Sequence, residues 1–192
     1  MTPAQEEKLI ERLKLRDEAA FRTFVRQYQD KIYNLVFRMM GNAQEAEDVS
    51  QEVFITVFKN IDAFRGDARF STWLYRIAIN HCKNRLKYLG RRAGGRTQTL
   101  DDTPEATIGM SPLQNNLPRP DNQAIGKELE GIMQRAIAQL EEEHRVLIVL
   151  RDIENMPYNE ITEITGLNPG TVKSRLHRAR VALKEQVRRL YE

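Results

Sequence analysis

Apolar residues recur at helical spacing along most of this chain, and the recurrence stops over one internal segment. In the stretch from about residue 18 to residue 40, Phe21, Phe24, Val25, Tyr28 and Ile32 fall three or four positions apart, on one side of a helix. No stretch alternates apolar and polar residues in the way that a half-buried strand does. The sequence therefore predicts an all-α fold.

The interruption covers residues 93–122, where Gly and Pro are frequent and large apolar residues are few. A structureless stretch of this length is unusual inside one compact domain and ordinary between two domains. We therefore expect two small helical domains, residues 1–92 and 123–192, joined by a flexible linker over residues 93–122.

Boundary signals divide each half into helices. In the first half we expect helices over about 5–16, 18–40, 44–60 and 71–89, with Asp17 capping the second, Gly41 ending it, and Ser71 or Thr72 capping the fourth. In the second half we expect helices from about 122 and over 144–153, followed by a helix pair. The side chains expected on buried faces include Val49, Val53, Val57 and Phe58 in the third helix, and Leu129, Ile132, Ala136 and Ile137 in the fifth.

Several classes of protein are disfavoured by what the chain lacks. Cys82 is its only cysteine, so no disulfide can form within the chain, and a reducing cytosol suits it. We find no signal peptide and no apolar run of membrane-spanning length, and expect a soluble, cytoplasmic protein. There is no phosphate loop, metal-ligand spacing or nucleophile set, so we expect no catalytic residue, no metal, no cofactor and no enzymatic activity.

The clearest motif is a helix pair near the C-terminus. Gly166 ends the first helix, Asn168 can cap the second, and Pro169 suits its first position. Val172 and Leu176 begin an apolar stripe, and the opposite side presents hydrogen-bond donors, as a helix in a DNA major groove requires. The residues predicted to contact duplex DNA are Gly170, Thr171, Lys173, Ser174, Arg175, His177 and Arg178.

A second signal lies between Asp67 and Asp101, where no acidic residue occurs and basic residues alternate with aromatic ones. This mixture suits single-stranded nucleic acid, because cations contact phosphates and aromatic rings stack on bases. Trp73 lies at helical spacing with other apolar residues and is better explained as core. Phe64 lies in a loop-like segment, where packing explains a large aromatic less well. The residues predicted to contact nucleic acid here are Phe64, Arg76, Asn80, Lys83, Asn84 and Lys87.

An acidic surface precedes this basic segment. Asp48, Gln51 and Glu52 share one side of the predicted third helix, and Phe54 lies nearby. Such a surface is either solvated or used to bind another protein, since DNA repels it. The sequence leaves both interpretations open.

Taken in order, these segments resemble the extracytoplasmic-function (group IV) sigma factors of bacteria. Residues 46–54 resemble the helix that binds core RNA polymerase, residues 64–78 with Asn80 resemble the segment that melts and reads the minus-ten promoter element, and residues 158–182 resemble the reader of the minus-thirty-five element. The resemblance implies that Asp48, Gln51, Glu52 and Phe54 form the polymerase-binding face, and that Phe64 and Asn80 hold a flipped-out base of the non-template strand.

The resemblance also implies the partners. These are core RNA polymerase (the clamp helices of its largest subunit and the flap of its second-largest subunit), promoter DNA as duplex and as melted strand, and an anti-sigma factor that can hold the protein at the inner face of the membrane. The alternative is a stand-alone helix-turn-helix regulator.

Linker length adds a hypothesis. The two promoter elements lie about 70 Å apart, whereas a linker of about 30 residues averages only about 30 Å as a free coil. We therefore expect core polymerase to hold the two domains apart.

Overall fold

The computed structural model describes residues 2–94 and 120–192, and this part of the chain is helical, with no strand. Its α-helices are α1 (Pro3–Lys14), α2 (Glu18–Met40), α3 (Ala43–Asn60), α4 (Phe70–Gly94), α5 (Pro120–Ala138), α6 (Glu142–Ile148), α7 (Tyr158–Thr165) and α8 (Pro169–Tyr191). A 3₁₀ turn (Ile61–Ala63) follows α3, and a π-helical turn (Val149–Ile153) follows α6. The all-α prediction is confirmed over these residues.

The predicted linker lies mostly outside the described residues. The two ends of the predicted range belong to helices, because α4 extends to Gly94 and α5 begins at Pro120. Residues 93, 94 and 120–122 of the predicted linker range therefore lie in the flanking helices.

Local capping signals start and stop the helices where the sequence indicates. The Asp17 carboxylate caps α2 by accepting hydrogen bonds from the backbone N–H groups of Ala19 (2.8 Å) and Ala20 (3.1 Å). Gly41 ends α2 in the left-handed conformation, with φ of 72°. Asn42 then caps α3 through the N–H of Glu45 at 3.0 Å. A few residues between α2 and α3 thus fix the turn that lets these helices pack together.

The first half folds around an aromatic cluster. Phe24 of α2 is fully buried, and its ring centroid lies 5.4 Å from that of Tyr28, 5.3 Å from that of Phe54 and 5.6 Å from that of Phe70. These tilted and edge-on arrangements are the ones that aromatic pairs prefer. The cluster joins α2, α3 and α4 into one unit.

The second half is built around α8. Val172, Leu176 and Ala179 are buried, so the predicted apolar stripe of this helix packs inward, on α5, α6 and α7. Gly166 ends α7 with φ of 72°, and the Asn168 side chain accepts from the N–H of Thr171 at 2.8 Å to cap α8. The predicted helix-turn-helix is confirmed.

The two halves pack directly on each other. The last carbonyls of α2 lie at the end of the helix, where few N–H groups of the same helix remain to bond to them. The carbonyl of Phe37 accepts locally from the N–H of Gly41 at 2.8 Å, and the second half supplies further donors. Gln134 of α5 donates to the carbonyl of Phe37 at 3.1 Å, and Arg145 of α6 donates to that of Met39 at 2.6 Å. Buried apolar residues of both halves form one continuous core. Within the described residues, the two predicted domains are in contact rather than held apart.

Some predictions about buried faces and caps are wrong. Phe58 is 39% exposed, because Val53 and Val57 take the buried positions of α3 and leave Phe58 at the edge, against the ring of Phe21. Leu129 is exposed in the same way on α5. Neither Ser71 nor Thr72 caps α4, since the helix begins at Phe70 and the carbonyl of Arg69 already accepts from Trp73.

Candidate nucleic-acid interface

The outer side of α8 presents an open row of donors. Lys173, Ser174, His177 and Arg178 are exposed, while Thr171 is half-buried and donates its backbone N–H to the cap residue Asn168. Gly170, at the second position of the helix, is exposed, and a Cβ atom added there would meet only the side-chain oxygen of Asn168, at 3.5 Å. This row can enter a major groove while the apolar stripe stays in the core.

Ion pairs sort the arginines of α8 into two groups. Arg175 pairs with Glu143 of α6, and Arg180 makes two hydrogen bonds to Asp152, at 2.6 and 3.0 Å. The carboxylate of Asp152 raises the pKa of Arg180 above its usual range. Within the described part of the chain, no salt bridge involves Lys173, His177 or Arg178. The residues most available to DNA are therefore those that have no acidic neighbour to compete with.

Tyr158, at the start of α7, connects the two helices of the pair. The guanidinium of Arg151 lies 4.9 Å from the centroid of its ring, and the amine of Lys173 lies 5.8 Å from it. Cations at these distances are attracted to the ring face. Tyr158 thereby positions Lys173 at the edge of the donor row.

A second row of donors runs along α4. Arg76, Asn80, Asn84 and Lys87 are exposed and lie on one side of the helix, and Lys83 beside them is half-buried. From position 76 to position 87 the row spans about 17 Å. Such a row matches the spacing of several backbone phosphates along a nucleic-acid strand.

Phe64 does not stand apart from the core. Its ring lies 5.3 Å from that of Phe70 and 5.4 Å from that of Trp73, and the side chain is buried. The expectation that packing explains this aromatic less well is wrong, because Phe64 follows the 3₁₀ turn and packs on the cluster. The interpretation of Trp73 as a core residue is confirmed by its burial.

The acidic surface lies on α3. Gln51 and Glu52 are exposed, and Asp48 is half-buried and accepts from Gln44 at 3.3 Å. Glu52 also binds Arg85 of α4 at 2.7 Å, so that arginine is turned away from the donor row of α4. Phe54 is half-buried and faces the aromatic cluster rather than the surface.

Sequence reasoning missed two apolar members of this surface. Ile55 is 52% exposed, and Phe58 is exposed beside it, one and two turns beyond Gln51. Ile55 lies four positions after Gln51 and Phe58 lies three positions after Ile55, a helical spacing that was readable in the sequence. Because Phe58 was assigned to the core, the sequence analysis did not include it in the surface formed by Asp48, Gln51 and Glu52. The exposed side of α3 is thus acidic at one end and apolar at the other.

Comparison with known proteins agrees with this arrangement. Residues 24–92 match the family Sigma-70 region 2, and residues 130–183 match Sigma-70, region 4. The chain is 39% identical over 189 residues to the ECF RNA polymerase sigma factor SigW of Bacillus subtilis, covering 95% of this chain and 97% of that protein. The chain belongs to the ECF RNA polymerase sigma factors.

Other relatives give the same result for this sigma factor. It is 38% identical over 190 residues to the RNA polymerase sigma-H factor of Pseudomonas aeruginosa, covering 99% of this chain and 97% of that protein. It is 37% identical over 182 residues to the ECF RNA polymerase sigma-E factor of Escherichia coli, and the match covers 95% of this chain and 94% of that protein. The chain is therefore an alternative sigma factor, which acts in promoter-directed transcription.

The fold is shared with solved sigma factors. One is the sigma factor RpoE of Bartonella quintana, solved in complex with the anti-sigma factor NepR. Its comparison with this chain gives a TM-score of 0.67 at 20% sequence identity, and the match covers 88% of this chain and 96% of RpoE. Another is CnrH, solved in complex with the cytosolic domain of CnrY. Its comparison with this chain gives a TM-score of 0.62 at 19% sequence identity, and the match covers 93% of this chain and 94% of CnrH.

Among the described residues of this sigma factor, none of the helices is long and apolar enough to cross a membrane, and no cluster of side chains could hold a metal ion.

Polar contacts between the two halves of this sigma factor were not predicted. The Thr72 hydroxyl donates to the carboxylate of Glu160 at 2.8 Å, and Arg69 pairs with the same carboxylate at 3.0 Å. The Tyr75 hydroxyl donates to Glu154 at 3.1 Å, and burial raises the pKa of both of these groups. No spacing in the sequence indicates these contacts, because the partners are about 80 to 90 residues apart along the chain.

Proposed function

We propose that three surfaces of this sigma factor make three different contacts during transcription initiation. The exposed side of α3 binds core RNA polymerase, the donor row of α4 contacts the melted minus-ten element, and the donor row of α8 reads the minus-thirty-five duplex. The observation that carries this proposal is the segregation of charge. Acidic and apolar residues are exposed together on α3. In the donor rows, by contrast, no salt bridge within the described residues involves Arg76 or Lys87 of α4, or Lys173, His177 or Arg178 of α8.

The side of α3 suits a protein partner. Asp48, Gln51 and Glu52 offer carboxylates and an amide to basic groups, and Ile55 and Phe58 add apolar area that water solvates poorly. Apolar centres with charged rims are typical of protein interfaces. The clamp helices of the largest polymerase subunit are the partner that the family resemblance implies. Phe54 supports this face from beneath through its contact with Phe24.

The donor row of α4 suits a single strand. Arg76, Lys83 and Lys87 contact phosphates, while Asn80 and Asn84 offer amides that can pair with a base edge. Phe64 is packed on Trp73, so it forms one wall of a pocket for a flipped-out base rather than a free stacking platform. We assign Phe64 and Asn80 to that pocket.

The donor row of α8 suits duplex DNA. Arg178 and His177 face outward in the middle of the row, where they can contact base edges in the major groove. Lys173, Ser174 and Thr171 lie nearer the start of the helix and contact phosphates, with Gly170 allowing the backbone to approach. Arg175 reaches DNA once its pair with Glu143 is exchanged for a phosphate.

Transcription in vitro tests the proposal. The full chain is mixed with purified core polymerase on a genomic promoter library, and Asp48→Lys is compared with Glu7→Lys, which reverses the charge of an exposed residue on α1. We expect Asp48→Lys to lower both co-elution with core and transcript yield at least about tenfold, and Glu7→Lys to leave both unchanged. Equal yields from the two variants would exclude α3 as the core-binding face.

A stand-alone helix-turn-helix regulator is the second candidate, and the complete donor row of α8 favours it. A regulator of that kind binds its operator equally well with and without core polymerase. A DNA footprint with and without core polymerase distinguishes the two functions. Protection of both promoter elements only when core is present would support the sigma-factor function.

The remaining assignments belong to the same proposal. The chain acts in the cytoplasm without catalysis of its own, contacts the flap of the second-largest polymerase subunit through its second half, and is held inactive by an anti-sigma factor. Affinity capture with the tagged full chain, before and after core is removed from the extract, tests these partners.

A further inference from the structure

We infer that Arg85 and His81 of α4 are positioning residues for Glu52, a carboxylate on the side of α3 that the proposed function assigns to core polymerase. The inference rests on that proposed function and adds to it the groups that fix the geometry of one contact. The α3–α4 network, as we call it, consists of Glu45, Glu52 and Thr56 of α3 and His81 and Arg85 of α4.

Helical spacing places the α3–α4 network between its two helices, which pack on each other. The three residues on α3 are seven and four positions apart and therefore lie on one side of that helix. His81 and Arg85 are four positions apart and share a side of α4, roughly opposite the donor row of that helix. The two positioning residues thus face α3, and α4 keeps its other side for the proposed contact with nucleic acid.

Both oxygens of the Glu52 carboxylate have a neighbour on α4. Nη2 of Arg85 donates to Oε1 at 2.7 Å, and Nδ1 of His81 lies 3.4 Å from Oε2. The other ring nitrogen of His81 lies 2.9 Å from the hydroxyl of Thr56. A neutral imidazole has one donor and one acceptor nitrogen, so Thr56 can donate to the ring while the second nitrogen faces Glu52. These contacts hold the carboxylate at a fixed place on the surface.

Arg85 is itself held from a second direction. Its Nη1 lies 3.3 Å from a buried oxygen of Glu45, and the side chains of Arg85 and Glu45 are 22% and 24% exposed. The side chain of Glu52, by contrast, is 47% exposed. The covered pair therefore fixes the guanidinium, and the guanidinium fixes the exposed carboxylate. Because a carboxylate has about four acceptor sites, Glu52 can still accept from a donor of the partner protein.

Side-chain order and net charge make opposite predictions for the role of Arg85. A long side chain that is already ordered loses less conformational freedom when a partner binds, so Arg85 should tighten core binding by holding Glu52. As a positive charge on an acidic surface, Arg85 should instead slow association with a basic partner. Removal of Arg85 therefore weakens core binding if it positions Glu52, and strengthens core binding if only its charge matters.

The kinetics of core binding test the inference. Variants of the full chain bind to immobilised core polymerase, and biolayer interferometry gives their association and dissociation rates. We expect Arg85→Gln to dissociate roughly three- to tenfold faster than wild type, the factor that corresponds to the lost order of one long side chain. Lys8→Gln, an equal charge change at an exposed residue of α1, should keep wild-type rates. An affinity of Arg85→Gln equal to or above that of wild type would overturn the inference.

A double-mutant cycle shows whether Arg85 acts through Glu52. The Glu52→Ala background has no carboxylate to hold, so adding Arg85→Gln should change core affinity by less than about twofold. An equal loss in both backgrounds would overturn the inference. Wild-type affinity in Glu52→Ala would overturn it together with the assignment of Glu52 to the core-binding face. A loss in Glu52→Ala without a loss in Arg85→Gln would overturn the inference alone and leave the proposed function intact.

Two further variants guard against damage to the fold, because Arg85→Gln leaves a buried oxygen of Glu45 without its ion pair. Arg85→Lys keeps the charge and loses the planar fork that joins two carboxylates. His81→Phe removes both ring nitrogens and leaves the pair of Arg85 with Glu45 in place. Both variants should dissociate from core faster than wild type while circular dichroism shows wild-type helical content.

Transcription with core in excess separates positioning from damage to the minus-ten side of α4. Positioning affects the binding of core and not promoter opening, so the Arg85 and His81 variants should reach the wild-type transcript yield once core is saturating. Yields that stay low in excess core would overturn the inference, as would wild-type dissociation rates from the folded Arg85→Lys and His81→Phe proteins.

Discussion

The two helices with donor rows, α4 and α8, reach their roles by different routes. α8 has its own cap, its own apolar stripe and an outer side exposed to solvent. α4 has no side-chain cap from its own sequence neighbours, and the first turns of its reading segment supply aromatics to the core and lie under α7. The local sequence thus determines the proposed reader of duplex DNA, whereas the proposed reader of melted DNA depends on the rest of the fold.

The two helices also differ in their contacts with the other half of the chain. The donor row of α8 is exposed, whereas the start of α4 is covered by α7, where the Thr72 hydroxyl donates to the buried carboxylate of Glu160. Each of the following changes tests one side of this contrast.

Phe70→Ala should have the largest effect, because α4 depends on the aromatic cluster. Phe70 is fully buried and its ring lies within 6 Å of those of Phe24, Tyr28, Phe64 and Trp73. We expect the free energy of unfolding to fall by about 3–5 kcal/mol, measured by urea denaturation. Tyr88→Ala, an exposed aromatic on the same helix, should cost less than about 1 kcal/mol. Similar losses from both would mean that the cluster does not hold α4.

Arg178→Ala should act on binding rather than on stability. Arg178 is exposed and lies in the middle of the α8 row. We expect a loss of roughly 1–3 kcal/mol at the minus-thirty-five duplex if the side chain reads a base, with other sequences less affected. Fluorescence anisotropy on matched and scrambled duplexes measures this. Arg180→Ala is the control, since Asp152 already holds that guanidinium. A uniform loss on both duplexes would make Arg178 a phosphate contact.

Asn80→Ala should impair promoter opening more than duplex binding. Its amide lies on the exposed side of α4, where it can pair with a base edge in the melted strand. The loss of one such contact is about 0.5–1.5 kcal/mol, so permanganate reactivity of thymines near the start site should fall several-fold with core present. Normal reactivity would remove Asn80 from the proposed pocket. Asn84→Ala, one turn further along the row, shows whether the effect is specific to position 80.

Glu154→Gln should have the smallest effect, and we expect it to raise the stability of the folded protein slightly. Burial raises the pKa of Glu154 above its ordinary value of 4.5, so the folded protein binds a proton more readily than the unfolded chain. The charged form is therefore unfavourable at neutral pH, and this penalty disappears as pH falls through the raised pKa. The glutamine still accepts from Tyr75 and is always neutral.

The pH dependence gives the sign of this last prediction. At pH 7 the Glu154→Gln protein should melt at the same temperature as the wild type or slightly higher, and the difference should shrink as the pH approaches about 4.5. Differential scanning calorimetry of both proteins across this range measures it. A variant less stable than wild type at pH 7 would mean that the charge at Glu154 stabilises the interface.

Local signals account for the parts of the fold that the sequence predicted well. Asp17, Gly41, Gly166 and Asn168 act within a few residues of themselves, through hydrogen bonds and backbone conformations that short segments can form alone. The α8 row could be predicted for the same reason. The placement of Phe64 could not, because it lies outside the helices and the rings that cover it, Phe70 and Trp73, belong to α4.

The sequence by itself determined that this chain is helical, where most helices begin and end, and which residues of α8 face outward, because these properties arise from interactions within a few residues. Tertiary structure alone decided that Phe64 joins the core, that Arg85 turns toward Glu52, and that Glu160 lies buried on Thr72. Those contacts join residues far apart along the chain, and they form only when whole helices pack.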